Sequence, residues 1–150
     1  MRFLKKDDGS GLIELALCLP LTLLIVFAIV NYAQWIQRAI LLQDAAAAGA
    51  SYGTIPGNSS NHTNMVAVAN WNATGSVYGA TGFTATANDF YTCSPGGSQV
   101  TATYSCPTGA PYHYVQVNTA TTVKNYIPWP GIPSSIAIKG QAIYRVEVTP

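Results

Sequence analysis

The sequence predicts an α+β protein, in which a long N-terminal helix crosses a membrane, continues outside it and packs against a small antiparallel sheet of three or four strands. An apolar stretch from Leu12 to Val30 is followed by good helix formers as far as Tyr52. Beyond Gly53 the sequence is rich in Val, Ile, Thr and Tyr and is divided by Gly/Pro turns, which is typical of antiparallel strands. The 150 residues suffice for this helix and one modest head domain.

The composition is that of an extracytoplasmic surface. Charged residues make up 9% of the chain, against about 25% in an ordinary soluble domain. The formal net charge is +1. Lys and Arg cluster only at the N-terminus, as Arg2, Lys5 and Lys6. Because a basic stripe or patch elsewhere is missing from the sequence, a nucleic-acid-binding function is excluded.

The apolar stretch has the length of a membrane span. No charged side chain lies between Glu14 and Arg38. As a helix, Leu12 to Val30 would measure roughly 28 Å at about 1.5 Å per residue, close to the thickness of a bilayer core. Because the basic residues precede the span, the positive-inside rule predicts a single-pass protein with a cytoplasmic N-terminus and an extracytoplasmic head.

Three ordinary explanations of this span meet different difficulties. A cleaved secretory signal would have a shorter apolar region followed by an A-x-A site. A lipoprotein signal needs a small residue before its cysteine, whereas Leu17 precedes Cys18. A plain signal anchor does not account for Glu14, since an acid within a spanning helix costs about 2.5 to 3.5 kcal/mol on insertion scales. That explanation stays open if Glu14 lies at the cytoplasmic interface, half in water.

The residues before the span suggest a role for Glu14. A basic leader, "MRFLKKDDG", precedes "SGLIE", so cleavage between Gly9 and Ser10 would make Glu14 the fifth residue of the mature chain. This arrangement resembles a type IV prepilin, from which a membrane peptidase removes a short charged leader after a glycine. The new α-amine at Ser10 would be cationic near neutral pH and could pair with a buried carboxylate. We therefore expect Glu14 to set the axial register of neighbouring helices.

The resemblance sharpens over about 45 residues, from "GSGLIELALCLP" to "DAAAAGASYG". This segment is similar to the N-terminal domain of the TadE-like pseudopilins, which accompany the tight-adherence (Flp) pilus machinery. The positions that carry the similarity are Gly9, Ser10, Glu14, Ala16, Leu17, Pro20, Phe27, Tyr32, Ala45 and Gly49. The membrane exit departs from the family, which often carries an acid and a Gly-Arg pair where this chain has Asn31 and Gln34.

The resemblance implies a non-enzymatic minor pilin or pseudopilin in a bacterial inner membrane, without a cofactor. Its partners would be other pilin or pseudopilin subunits through helix–helix contacts, a prepilin peptidase and the inner-membrane pilus assembly platform. Pro20 would be a bend or melting point for assembly, although prolines are common in spanning helices without such a role. The alternative is an uncleaved, membrane-anchored binding module whose β-rich head recognises a periplasmic protein or a surface glycan.

These expectations divide the chain into a leader at 1–9, a long helix at 10–53 with its membrane part at about 12–30, and a head at 54–150. Outside the membrane, an apolar stripe is expected on the helix at Ile36, Ile40, Leu41, Ala45, Ala47 and Ala48. The small residues of "DAAAAGA" permit close approach of another helix, or simply raise helix propensity. Gly53 is expected to end the helix in a left-handed conformation, and Pro56 bars its continuation.

In the head, "HTNMVAVANWNATG" predicts a short helix with Met65, Val68 and Trp71 inward. Four segments predict the strands of an antiparallel meander: "TGFTATANDFYTC", "SQVTATYSC", "YHYVQVNTATTVKNY" and "SSIAIKGQAIYRVEV". Trp129, in "PWPG", is either a tucked-in loop aromatic or an exposed contact.

The reactive residues of the chain predict structure rather than catalysis. Cys93 and Cys106 flank a strand and its turn and predict a disulfide worth about 3 kcal/mol in the chain-entropy model. Cys18 is expected to be an inert apolar residue in lipid. His62 and His113 are expected to be surface polar groups, since no metal-binding or acid/base motif accompanies either. We therefore predict no metal site, no catalytic residues and no enzymatic activity.

Overall fold

The computed structural model describes residues 8–75, 82–107, 109–125 and 133–146. The sheet packs on the outer half of a long helix, which confirms the predicted α+β class. In chain order the elements are α1 (Asp8–Gly53), α2 (His62–Gly75), β1 (Thr84–Thr92), β2 (Gln99–Val100), β3 (Tyr112–Lys124) and β4 (Ser135–Arg145).

The four strands form one sheet in the order β2-β1-β3-β4, and all neighbouring strands are antiparallel. The predicted meander is therefore wrong in its order, because β3 pairs with β1 and not with β2. After Val100 the chain turns, with Tyr104 N–H donating to the carbonyl of Thr101, instead of continuing as a strand. The two-residue β2 covers only one end of β1, and the much longer β3 takes the other edge.

The core lies between one face of the sheet and the two helices. Residues of β3 alternate strictly, so that its buried side chains all point to this inner face: His113, Val115, Val117, Thr119 and Thr121. The helices contribute small side chains and two larger ones: Leu42, Ala45, Ala46 and Ala50 from α1, and Met65, Ala69 and Ala73 from α2.

Two glycines allow the backbones to approach closely at this interface. A Cβ at Gly49 would lie 2.8 Å from the carbonyl oxygen of Met65, and a Cβ at Gly140 would lie 2.7 Å from the carbonyl carbon of Leu42. α2 and β4 therefore rest almost directly on the backbone of α1. The close approach predicted for the small residues of α1 is thus made by another helix of the same chain.

The buried face of α1 differs from the predicted stripe. Ala45 is buried as expected, but Ile36 and Ile40 are 44% and 56% exposed. The head covers only the face that carries Leu42, Ala45, Ala46 and Gly49, and the isoleucines lie outside that face. Periodicity alone could not tell which of two apolar faces the head would choose.

The second helix also buries a different set of residues from the predicted one. Met65 points inward as predicted and Val68 is half-buried, but Trp71 is 77% exposed. Ala69 and Ala73 take the inward positions instead. A backbone approach as close as that at Gly49 leaves room for alanine and none for an indole ring, which is why the prediction for Trp71 was wrong.

A close packing contact marks the end of α1, and a capping hydrogen bond marks the start of α2. Gly53 ends α1, but it does not have the predicted left-handed conformation. It is needed for space, since a Cβ there would lie 2.7 Å from the Met65 Cε. Asn61 caps α2, because its side-chain oxygen accepts a 3.2 Å hydrogen bond from the Asn64 backbone N–H.

Polar contacts fix the sheet along the length of the outer helix. The Trp35 indole N–H donates to the Asn125 side-chain oxygen at 3.0 Å, just after β3. The Gln43 side chain donates to the carbonyl of Gln141 at 2.8 Å and accepts from its N–H at 3.3 Å. These two bonds cover the backbone of β4, which is an edge strand.

The predicted disulfide between Cys93 and Cys106 is present, with Cα atoms 5.4 Å apart. It ties the end of β1 to the segment that follows β2. The loop that contains Trp129 lies outside the described residues, as does most of the predicted leader.

Candidate functional site

The candidate site is the N-terminal half of α1, which projects beyond the head. Every residue from 11 to 30 is exposed, and the most apolar window of the helix has a mean hydropathy of 2.7 with none of it buried within the protein. Soluble monomeric proteins rarely expose so large an apolar surface. By length and composition, this helix can cross a membrane.

Glu14 lies on this exposed surface, near the start of the helix. Within the described part of the chain its carboxylate has no hydrogen bond or ion pair. Gly9 and Ser10 lie in the first turn of α1, which begins at Asp8. The spacing of Ser10 and Glu14 is i, i+4, so both positions lie on one side of the helix.

Pro20 lies near the middle of the predicted membrane part, and α1 continues through it. Proline has no backbone N–H, so the carbonyl of Ala16 lacks its usual helical partner. Nearby, the Thr22 hydroxyl donates to the carbonyl of Cys18 at 2.7 Å, which gives this polar group a partner within an apolar segment. The bend expected at Pro20 stays a prediction.

The exposed apolar surface extends beyond the membrane part. Tyr32, Ile36 and Ile40 recur at i, i+4 and i+8 and are 61%, 44% and 56% exposed. We call these three residues the outer strip. The outer strip continues the surface of the spanning segment, while the head occupies other positions of the same helix.

A comparison with protein families matches residues 9–51 to the model described as TadE-like protein. The N-terminal helix is TadE-like. The resemblance predicted from the sequence is thereby confirmed for this segment, which runs from Gly9 almost to the end of α1 at Gly53. No curated protein and no solved structure matches the chain.

The TadE-like match concerns the helix and ends before the head. The match covers less than a third of the 150-residue chain and describes the helix alone. The matched segment contains the exposed apolar half of α1, Glu14 and the outer strip. It also contains the small residues that receive the head, including Gly49.

The head contains a polar cluster that the sequence did not predict. The Asp89 carboxylate lies between two histidines: its Oδ1 is 2.8 Å from the His62 Nε2, and its Oδ2 is 2.9 Å from the His113 Nε2. The Tyr91 ring stacks on that of His113, with centroids 4.3 Å apart. Expecting both histidines at the surface was wrong for His113, whose side chain is only 10% exposed.

This His–Asp–His cluster joins α2, β1 and β3. Burial raises the pKa of Asp89, but hydrogen bonds and charge from His113 and His62 outweigh burial and hold that pKa below its ordinary value of 3.8. In the described part of the chain, no three His, Cys, Asp or Glu residues are placed to hold a metal ion. The arrangement suits a clamp between the second helix and the sheet.

Proposed function

We propose that this chain is a minor pilin or pseudopilin of a tight-adherence, type IV-like pilus. Its N-terminus lies in the cytoplasm and its head outside the inner membrane. A prepilin peptidase removes the leader between Gly9 and Ser10, and the helix then leaves the lipid for a bundle of like helices on the assembly platform. The observation that carries the proposal is a 46-residue helix in which every residue from 11 to 30 is exposed in the described structure.

Within the bilayer, polar pairing supports this proposal. Apolar helices gain little from leaving lipid for one another, because lipid tails are as apolar as leucine. A carboxylate in lipid is costly, and an amine on a neighbouring protomer relieves that cost. Glu14 therefore favours the bundle over the isolated helix once Ser10 carries a free amine.

Outside the bilayer, the outer strip supports the same assembly for a different reason. Water surrounds Tyr32, Ile36 and Ile40 in the single chain, so covering them is favourable by about 25 cal/mol per Å² of apolar surface. The two parts of α1 thus favour lateral contact by separate physical effects, pairing in lipid and burial in water.

Oxidative cross-linking at Cys18 tests the proposal. Cys18 is exposed in the spanning segment and is the one cysteine outside the disulfide, so it reports the approach of two helices without an added probe. Copper phenanthroline should produce cross-linked dimers in membranes of cells that assemble pili. Glu14→Leu should reduce them about tenfold, by removing a pairing worth more than 1.4 kcal/mol, while more protein inserts into the membrane.

The controls separate assembly from expression. Cys18→Ser should abolish the cross-link, and Leu15→Ile, at an adjacent exposed position, should leave it unchanged. Equal cross-linking in the wild type and Glu14→Leu would contradict the proposal and favour the anchored binding module, in which Glu14 affects insertion alone.

A further inference from the structure

The sheet has a second face that neither helix covers. Side chains of β1, β3 and β4 that alternate with the core positions point to this face, which we call the outer face. Pairing of the strands arranges it in four successive rows: Phe90, Tyr114 and Arg145; Asn88, Gln116 and Ile143; Thr86, Asn118 and Gln141; Thr84, Ala120 and Lys139.

Aromatic rings occupy one end of the outer face. Phe90 and Tyr114 stack with centroids 5.6 Å apart and planes 16° from parallel, and both are half-buried. The Arg145 guanidinium carbon lies 4.3 Å from the centre of the Tyr112 ring. Rings held in this way expose apolar surface beside polar groups without a further loss of side-chain freedom on binding.

Side-chain amides occupy the centre of the outer face. The Asn118 oxygen accepts one hydrogen bond from the Gln116 amide at 3.0 Å and another from the Gln141 amide at 2.9 Å. Each amide has more hydrogen-bonding groups than these two bonds use. The Asn118 nitrogen and the two glutamine oxygens therefore remain as fixed donors and acceptors, with no partner among the described residues.

A shallow groove of about 490 Å³ begins beside these amides. It is within the range of small-ligand sites, roughly 300 to 1,000 Å³. Its side chains are mainly hydroxyls and amides, with one ammonium group: Thr84, Thr86, Asn118, Ala120, Lys139 and Gln141.

Among the described residues, the charges on the outer face have one sign. Lys124, Lys139 and Arg145 lie on it, whereas the one described carboxylate of the head, that of Asp89, lies on the inner face. An anionic ligand is therefore favoured over a cationic one.

We propose that the outer face binds an oligosaccharide that carries carboxylate groups. Its sugar rings would lie against the aromatic end, its hydroxyls would bond the amides, and a carboxylate would approach Lys139. A protein partner fits less well, because Ile143 is the one large aliphatic side chain in the four rows, and protein interfaces have an apolar centre. The face points away from α1, so assembly through that helix would leave it accessible.

The test uses the detergent-solubilised full chain and two probes, oligogalacturonate and the neutral cellohexaose. Calorimetry should show saturable binding of oligogalacturonate, at least fivefold weaker binding of cellohexaose, and weaker binding in high salt, since exposed charges are screened. Asn118→Ala should weaken binding of oligogalacturonate about tenfold, the effect of losing about 1.4 kcal/mol. Lys139→Gln should remove the preference for the acidic probe.

Trp71→Ala is the matched control, because Trp71 is the more exposed aromatic and lies on α2, away from the outer face. It should bind as the wild type does. Lys139 and Trp71 are exposed, so Lys139→Gln and Trp71→Ala should keep the wild-type melting temperature. If Asn118→Ala fails to fold, the comparison of these two variants still tests the proposal. The proposal is overturned if neither probe binds saturably, if the neutral probe binds equally well, or if Lys139→Gln behaves as Trp71→Ala does.

Discussion

At the level of single side chains, the most informative group is Asp89, which serves two histidines from different elements. Its position on the inner face follows from β1 pairing with β3, a contact between distant parts of the chain. The alternation of His113 with Val115 and Val117 is visible in the sequence, but His113 was expected at the surface, and only the structure shows that it lies on the core face. The sequence does not reveal the register between β1 and β3, which places Asp89 beside His113.

Replacing Asp89 should destabilise the head. Asp89→Asn removes charged hydrogen bonds to His62 and His113, each worth about 1.5 to 3 kcal/mol, so the denaturant midpoint at pH 7 should fall. Asp44→Asn, at an exposed aspartate of α1, should change it little. Urea unfolding of the detergent-solubilised chain, followed by circular dichroism, measures both.

The same pair of variants makes a prediction about pH. Because folding lowers the pKa of Asp89, its carboxylate stabilises the head above the ordinary value of 3.8, and that contribution is lost as pH falls through the lower folded value. Stability of the wild type should therefore fall more between pH 5 and pH 2 than that of Asp89→Asn. An identical acid dependence in the two proteins would show that the clamp contributes nothing.

At the level of helices and strands, local patterns predicted α1, α2, β1, β3 and β4 well, because each has enough residues for its period to be read. The patterns failed where a distant contact decides. β2 shortens to two residues, and Trp71 turns outward because α2 lies on Gly49. Likewise, the choice between the two apolar sides of α1 depends on where the sheet docks.

The close contact of β4 with α1 should not tolerate a methyl group. In Gly140→Ala the new Cβ would meet the Leu42 carbonyl and the Thr119 hydroxyl oxygen, both at 2.7 Å, so the strand must move off the helix. Overpacking of this kind costs about 1 to 3 kcal/mol. Gly75→Ala, at a site with nothing within 4 Å, is the control. Equal denaturant midpoints for the two variants would contradict the packing described.

For the chain as a whole, the sequence predicted the division into an exposed apolar half-helix and a disulfide-tied head, because composition changes sharply near Gly53. Removal of the predicted leader would also affect the chain as a whole, because it would alter the charge at the N-terminal end of the helix. Cleavage would replace the basic segment before Ser10 by a single amine, four residues from Glu14.

Intact-mass and N-terminal mass spectrometry of membrane and pilus fractions should find a mature chain that begins at Ser10. Gly9→Val should retain Met1, because a branched residue replaces the glycine that precedes the cut. Ser51→Ala, far from the leader, should be processed as the wild type is. A wild-type chain that keeps Met1 in cells with an active prepilin peptidase would rule out the maturation step.

The hydrogen bond between Trp35 and Asn125 has a consequence for how the molecule moves. Together with the paired bonds at Gln43, it fastens the sheet to α1 at two levels, one of them close to where the helix leaves the span. These contacts hold the head in one orientation on α1. Rotation or sliding of the exposed N-terminal half of α1 would therefore turn or shift the head with it, and would set the direction in which the opposite side of the sheet is displayed.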